Sequence, residues 1–205
     1  GDLGAVFRDD WSKFPHHPGY LAANQSRVST LRQKYKHASE RLLVGLSWAS
    51  SASSLSQEKT LALSEFLPIL TQQDVAFVNL QHASSPAEVA KITGTYEVEM
   101  LTDETVDPAG DIDEYAAQVA AMDLVISVSN TTVHVAGALN VPVWNIVPGF
   151  NTSGMWHWFH NSEQSPWYPS MKIYRRTRET NHNVMERMAA DLCAFRDSRV
   201  RKVGV

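Results

Sequence analysis

Short apolar runs with almost no polar alternation recur along this chain: "LLVGLSW" from Leu42, "VAFVNLQ" from Val75, "DLVISVS" from Asp123 and "VPVWNIV" from Val141. Runs of this kind suit strands covered on both faces, since strict alternation marks a strand with one face in water. Between them lie segments with helical spacing. These are "LALSEFLPILTQQ", interrupted by Pro68, then "SPAEVAKI", "DIDEYAAQVAAM", "TVHVAGALN" and a closing "NVMERMAADLCAF". Weaker strand signals stand at "YEVEML" and "MKIYRR". Five or six strands separated by helices predict βαβ units in an α/β, Rossmann-like, doubly wound and mostly parallel sheet.

The first 40 residues do not share this rhythm. "FRDDWSKFPHHPGYLAANQSRVSTLRQKYKHASER" reads as a proline-broken loop followed by one basic helix, so residues 1–40 are expected to be a connector and residues 41–205 the Rossmann-like domain. The chain opens Gly1-Asp2-Leu3 without an initiator methionine, as expected of an expression scar, a processed product or a piece of something longer.

Composition narrows the function classes. A net charge of −4, with no basic run beyond Arg199 to Lys202, argues against a surface built to neutralise nucleic-acid phosphates. No apolar stretch approaches the roughly 20 residues that cross a bilayer, and no signal segment opens the chain. The single Cys193 has no internal disulfide partner and sits in an apolar helical pattern, which fits a buried thiol in a reducing, cytoplasmic setting.

In an open parallel sheet, ligands sit at the carboxyl ends of the strands, near the point where strand order reverses. Three loops qualify: Ser47 to Thr60, Gln81 to Ser85, and Ser127 to Thr132. The third passes from a strand directly into a helix through Ser129, Asn130, Thr131 and Thr132. Backbone N–H groups and hydroxyls at the positive end of a helix suit a phosphate. Helix capping alone also favours Ser, Asn and Thr, although four candidates in a row exceed what one cap needs. His134, in the first turn, either donates to the same anion or packs beside the sheet. Lys59 closes the serine-rich first loop, either as a cation reaching that anion or as a solvated lysine.

Other motifs are weaker. Asp111-Ile112-Asp113 has the spacing of a metal-diphosphate site but stands where a helix starts, so capping accounts for it. His157 and His160 form an H-x-x-H with no third ligand near in sequence, and no metal site is expected. The glycine fingerprint of dinucleotide sites and the Walker phosphate loop are absent from the sequence.

Two segments together resemble a known family. "MDLVISVSNTTVHVAGALNVPVWNIVP" and "MWHWFHNSEQSPWYPSMKIYRR" are similar to the carboxyl-terminal half of bacterial heptosyltransferase-like glycosyltransferases. The branch often fused to tetratricopeptide repeats is the nearest in kind, with a more distant likeness to protein O-GlcNAc transferase. The resemblance implies one half of a two-domain enzyme of the GT-B type. That half binds a nucleoside-diphosphate sugar without metal or other cofactor, and transfer to the acceptor hydroxyl inverts the anomeric centre.

Carried over by residue, the resemblance assigns Lys59 the catalytic task of stabilising the departing nucleotide. Ser47, Gln81, Ser129, Asn130, Thr131, Thr132 and His134 are the remaining candidates for donor binding. Ser129 stands where heptosyltransferases carry an aspartate, and Trp156-His157-Trp158 replaces a Trp-Arg-Trp. The linker-like start implies partnership with an amino-terminal domain that supplies the acceptor site, whether for a glycan, a lipid or a protein, and the general base. Two other readings stay open. One is a non-catalytic module whose aromatic loop, with Trp156, Trp158, Trp167 and Tyr168, docks a partner; the other is a sugar-nucleotide epimerase or hydrolase.

Overall fold

In the computed structural model, residues 2–15, 17–36, 41–50, 56–82, 86–149, 155–159, 162–176 and 181–203 are described. Six strands form one fully parallel sheet: β1 (Leu42–Ser47), β2 (Val75–Asn79), β3 (Met100–Leu101), β4 (Leu124–Val128), β5 (Val143–Val147) and β6 (Met171–Arg175). Their order is β3-β2-β1-β4-β5-β6, so the chain reverses direction between β1 and β4. This is the Rossmann-like arrangement that the alternating pattern predicts.

The helices among the described residues are α1 (Asp2–Phe7), α2 (Gln25–Tyr35), α3 (Ser56–Lys59), α4 (Leu67–Leu70), α5 (Pro86–Tyr96), α6 (Ile112–Ala120), α7 (Thr131–Ala138) and α8 (Asn181–Val203). They build a core on each face of the sheet. Leu42, Val44 and Leu46 of β1, with Leu124, Ile126 and Val128 of β4, point to the side covered by α4 and α8. Leu43 and Val125 point to the other, where α2, α6 and α7 lie. Both faces are therefore dry, which is why these strands carry unbroken apolar runs.

Helix α2 packs on α6 as part of this second layer. Leu31 is buried there, while Arg27 pairs with Glu114 and Arg32 with Asp123. Asp103, also buried, accepts hydrogen bonds from Lys34 Nζ at 2.8 Å and Tyr35 Oη at 2.7 Å. Ahead of α2, the backbone N–H groups of Tyr20 and Leu21 both donate to Ala138 O, at 2.8 and 3.0 Å, at the carboxyl end of α7. Gly19 makes this approach with φ +106°, and a Cβ there would stand 2.7 Å from Ala138 O. Only glycine meets both demands without strain.

Two boundaries moved. The weak "YEVEML" signal shortens to the two residues of β3, an edge strand paired only with β2. The strand starting at Val75 ends at Asn79, which leaves Gln81 in the loop beyond it. Asp111 caps α6, its carboxylate accepting from the N–H groups of Asp113 and Glu114, so the D-x-D is consumed as helix start.

Candidate functional site

A pocket of about 430 Å³ opens at the carboxyl ends of β1 and β4, where the strand order reverses. Every candidate binding residue lines it: Ser47, Lys59, Gln81, Ser129, Asn130, Thr131, Thr132 and His134. The three loops selected from the sequence therefore converge, although residues 51–55 and 83–85 of two of them lie outside the described residues.

The floor is a closed hydrogen-bond network. Asn130 is the N-cap of α7, and its Oδ1 accepts from Thr132 N at 2.9 Å. Its Nδ2 donates to Ser47 Oγ at 2.8 Å and to Ala49 O at 2.9 Å, across to the end of β1. Ser47 Oγ donates in turn to Gln81 Oε1 at 3.0 Å, and the same oxygen accepts from the N–H groups of Trp48 and Ala49 at 2.9 and 2.7 Å. Gln81 Nε2 donates to His82 O at 2.8 Å. Ser47, Gln81 and Asn130 are thus engaged with protein. They brace the ends of β1, β2 and β4 and so shape the floor on which a ligand would rest.

Thr132 and Ser129 are similarly engaged. Thr132 Oγ1 lies 2.7 Å from the hydroxyl of Tyr115, which donates to Leu80 O at 3.2 Å. Burial pushes the Tyr115 hydroxyl up to about 12 despite the hydrogen bond with Thr132, so it remains a neutral donor. Ser129 Oγ, where relatives of the resembled family carry an acid, accepts from Trp158 Nε1 at 2.7 Å and is buried. A hydroxyl that satisfies a buried indole N–H has a structural task here.

The rim carries the groups suited to an anion. Lys59, at the end of α3, is half-buried and lines the pocket. The first turn of α7 presents Thr131 and the N–H groups that no helix can satisfy internally. His134 and His157 complete this side, their rings 5.9 Å apart. Burial, then repulsion from His134 and Lys59, pushes His157 down from an ordinary 6.5 to about 4. Burial and the Lys59 charge lower His134 as well, so both imidazoles are neutral near pH 7.

Two arginines at the end of β6 fix the segments that bear these groups. Arg175 donates to Trp158 O, Phe159 O and Ser162 O, holding the turn that carries His157. Arg176 donates to Glu58 O, next to Lys59.

Two sequence expectations are corrected. Trp158 is 1% exposed and Tyr168 8%, so the aromatic loop turns these rings into the core and presents no docking surface built from them. Cys193 is half-buried and donates from Sγ to Gln72 Oε1 at 2.8 Å. His160 and Trp156's side chain lie outside what is described; among the described residues, no three His, Cys, Asp or Glu residues gather as a metal site. Tyr115, Pro108 and Ala109 line the pocket unannounced by the sequence reading. For Tyr115 the available signal was its place on the apolar face of a helix, since a buried tyrosine hydroxyl needs a partner.

The structure matches that of the glycosyl transferase family 9 protein from Veillonella parvula with a TM-score of 0.56, over 78% of this chain and 44% of that one, at 13% identity. The fold is glycosyltransferase-like. In sequence, the chain is 32% identical over 178 residues to Protein FlbA of Caulobacter vibrioides, a match that covers 85% of this chain. The chain spans 28% of the length of FlbA. No protein-family model matches it. No helix among the described residues is long and apolar enough to cross a membrane.

Proposed function

We propose that the pocket at the β1–β4 reversal binds a nucleoside-diphosphate sugar and that this chain is the donor-binding half of a glycosyltransferase. The observation that carries the reading is the convergence of Lys59 and the amino end of α7 on one pocket at the crevice where open α/β sheets hold their ligands. During transfer, the diphosphate gains negative charge as it leaves the sugar. Lys59 and the positive end of α7 offset that charge, a preorganised form of transition-state stabilisation.

The braced floor supports the same reading, because donors fixed by Asn130, Ser47 and Gln81 need not reorganise when the ligand arrives. The acceptor hydroxyl, on a glycan, a lipid or a protein, and the base that deprotonates it belong in this reading to an amino-terminal domain of a longer cytoplasmic protein. Leu3, Val6 and Phe7 stand exposed on the connector, as suits a segment covered by such a partner. The two segments quoted above extend the reading to a metal-independent, inverting enzyme of the repeat-fused branch.

Titration calorimetry with a panel of nucleoside diphosphates tests the reading directly. We expect one base to bind at micromolar to millimolar concentration and Lys59→Ala to weaken it. Absence of binding by every member of the panel at millimolar concentration overturns the donor role.

A further inference from the structure

His134 sits in a chain of hydroxyls that begins outside the Rossmann-like domain. Its Nδ1 lies 2.9 Å from Tyr168 Oη, and Tyr20 of the connector donates from its own hydroxyl to Tyr168 Oη at 3.3 Å. The imidazole is stacked on Trp158, with centroids 5.2 Å apart and planes 20° from parallel, so the ring is held in place. The same ring lines the pocket.

Tyr168 has one proton to give. An unprotonated imidazole nitrogen is a much better acceptor than a phenol oxygen, and Tyr20 already supplies the hydrogen bond that Tyr168 Oη accepts. In the opposite arrangement, Nδ1–H and Tyr20 would both donate to Tyr168 and leave its proton unpartnered in a half-buried place, which is costly. The bond made at one ring nitrogen decides which nitrogen keeps the proton.

We propose that the Tyr20–Tyr168 hydroxyl pair fixes His134 as its Nε2–H tautomer, presenting a neutral hydrogen-bond donor to phosphate oxygens in the pocket. The ligand in this statement rests on the diphosphate reading above; the tautomer does not. Tyr168 and Tyr20 are then positioning residues, acting through His134. The groups facing His134 from neighbouring elements are Lys59, His157 and Tyr168, and the Lys59 charge together with burial keeps the ring from becoming a cation. A neutral donor adds recognition of the anion where a second cation next to Lys59 would be repelled.

The relay also explains two small residues. Gly137 lies under Tyr168, where a Cβ would stand 2.4 Å from the ring, and Gly19 lets the connector reach Ala138 O and so places Tyr20.

Nitrogen-resolved NMR of the histidine rings in the ligand-free chain at pH 7 reads the tautomer, and titration with inorganic pyrophosphate reads the donor. We expect protonated Nε2 and bare Nδ1 at His134. Tyr168→Phe is expected to shift that ring toward the Nδ1–H form and weaken pyrophosphate about three- to tenfold, the loss of one neutral hydrogen bond. Tyr20→Phe, at an exposed position, shifts it less and tests the relay without touching the core. His134→Gln, which keeps a donor near the Nε2 position, retains more affinity than His134→Ala.

Protonated Nδ1 in the wild type, or unchanged ring signals in Tyr168→Phe, overturns the relay. An altered ring with unchanged pyrophosphate affinity overturns the donor role. A wild-type chain that binds no pyrophosphate sinks the diphosphate reading, while the ligand-free spectra still support or overturn the relay.

Discussion

Asn130 Nδ2 donates to Ser47 Oγ across 2.8 Å, and this bond ties the carboxyl ends of β4 and β1 at the place where the strand order reverses. The same side chain caps α7, so one amide both starts the helix and closes the floor of the pocket.

Asn130→Ala removes the cap and both amide donations together. Expected destabilisation is about 2–4 kcal/mol, combining a lost N-cap with lost buried hydrogen bonds. Chemical denaturation reads it as a lower midpoint at unchanged slope. Asn130→Asp keeps the cap acceptor but cannot donate to Ser47 and Ala49, and its carboxylate repels an anion. It should retain more stability than Asn130→Ala and no more affinity for a nucleoside diphosphate.

Lys59→Ala separates binding from folding. Lys59 is half-buried on the pocket rim at the end of a four-residue helix, where truncation costs little stability. Loss of a charge-assisted contact weakens a diphosphate by about 10- to 100-fold. Calorimetry alongside thermal melts checks both halves, and a large melting shift would show that Lys59 acts structurally.

His157 makes the ligand-free protein acid-sensitive. Burial, then repulsion from His134 and Lys59, holds it near 4, below the ordinary 6.5 of an unfolded chain. Between these values the unfolded state binds more protons, so stability falls as pH drops from about 6.5 toward about 4. His157→Gln should flatten this slope. A bound anion favours the charged ring, so pyrophosphate should be taken up with protons over the same range, seen as a dependence of the calorimetric heat on buffer ionisation.

Asp103 acts at lower pH. Burial raises it, but hydrogen bonds from Lys34, Thr105 and Tyr35 outweigh that and hold the carboxyl well below the ordinary 3.8. Its contribution is present above the unfolded value and is lost as pH falls below about 4 toward the depressed folded value. Asp103→Asn should be less stable at pH 7, with the gap to wild type narrowing in acid denaturation series.

Gly137→Ala places a methyl against the Tyr168 ring. Overpacking of this kind costs about 1–3 kcal/mol. The displaced ring should also lose its contact with His134, visible as a changed imidazole signal beyond what the stability loss accounts for.

The fold was legible because the central strands are covered on both faces. Val44, Leu124 and Ile146 needed no tertiary knowledge to read as buried, whereas Met100 and Leu101 belong to a two-residue edge strand with little apolar pattern to show. The pocket was legible as a place, since strand ends and a polar helix start mark it. The division of labour inside it was not. Gln81 and Asn130 look like ligand contacts until their partners are known, and those partners, Ser47 and Ala49, lie more than thirty residues away in the chain. Tyr168 likewise reads as a surface aromatic until its ring is seen against Gly137 and His134.

The separation of floor from rim sets how such a site can diversify. Ser47 bonds both Gln81 and Asn130, so a change at Ser47 removes a partner from each and a change at either of them removes one from Ser47, and drift there must be concerted. Lys59, Thr131 and His157 stand outside that lock, on α3, the first turn of α7 and a short turn before β6. New ligand preferences can therefore accumulate one rim residue at a time, over a foundation that selection for folding alone keeps intact.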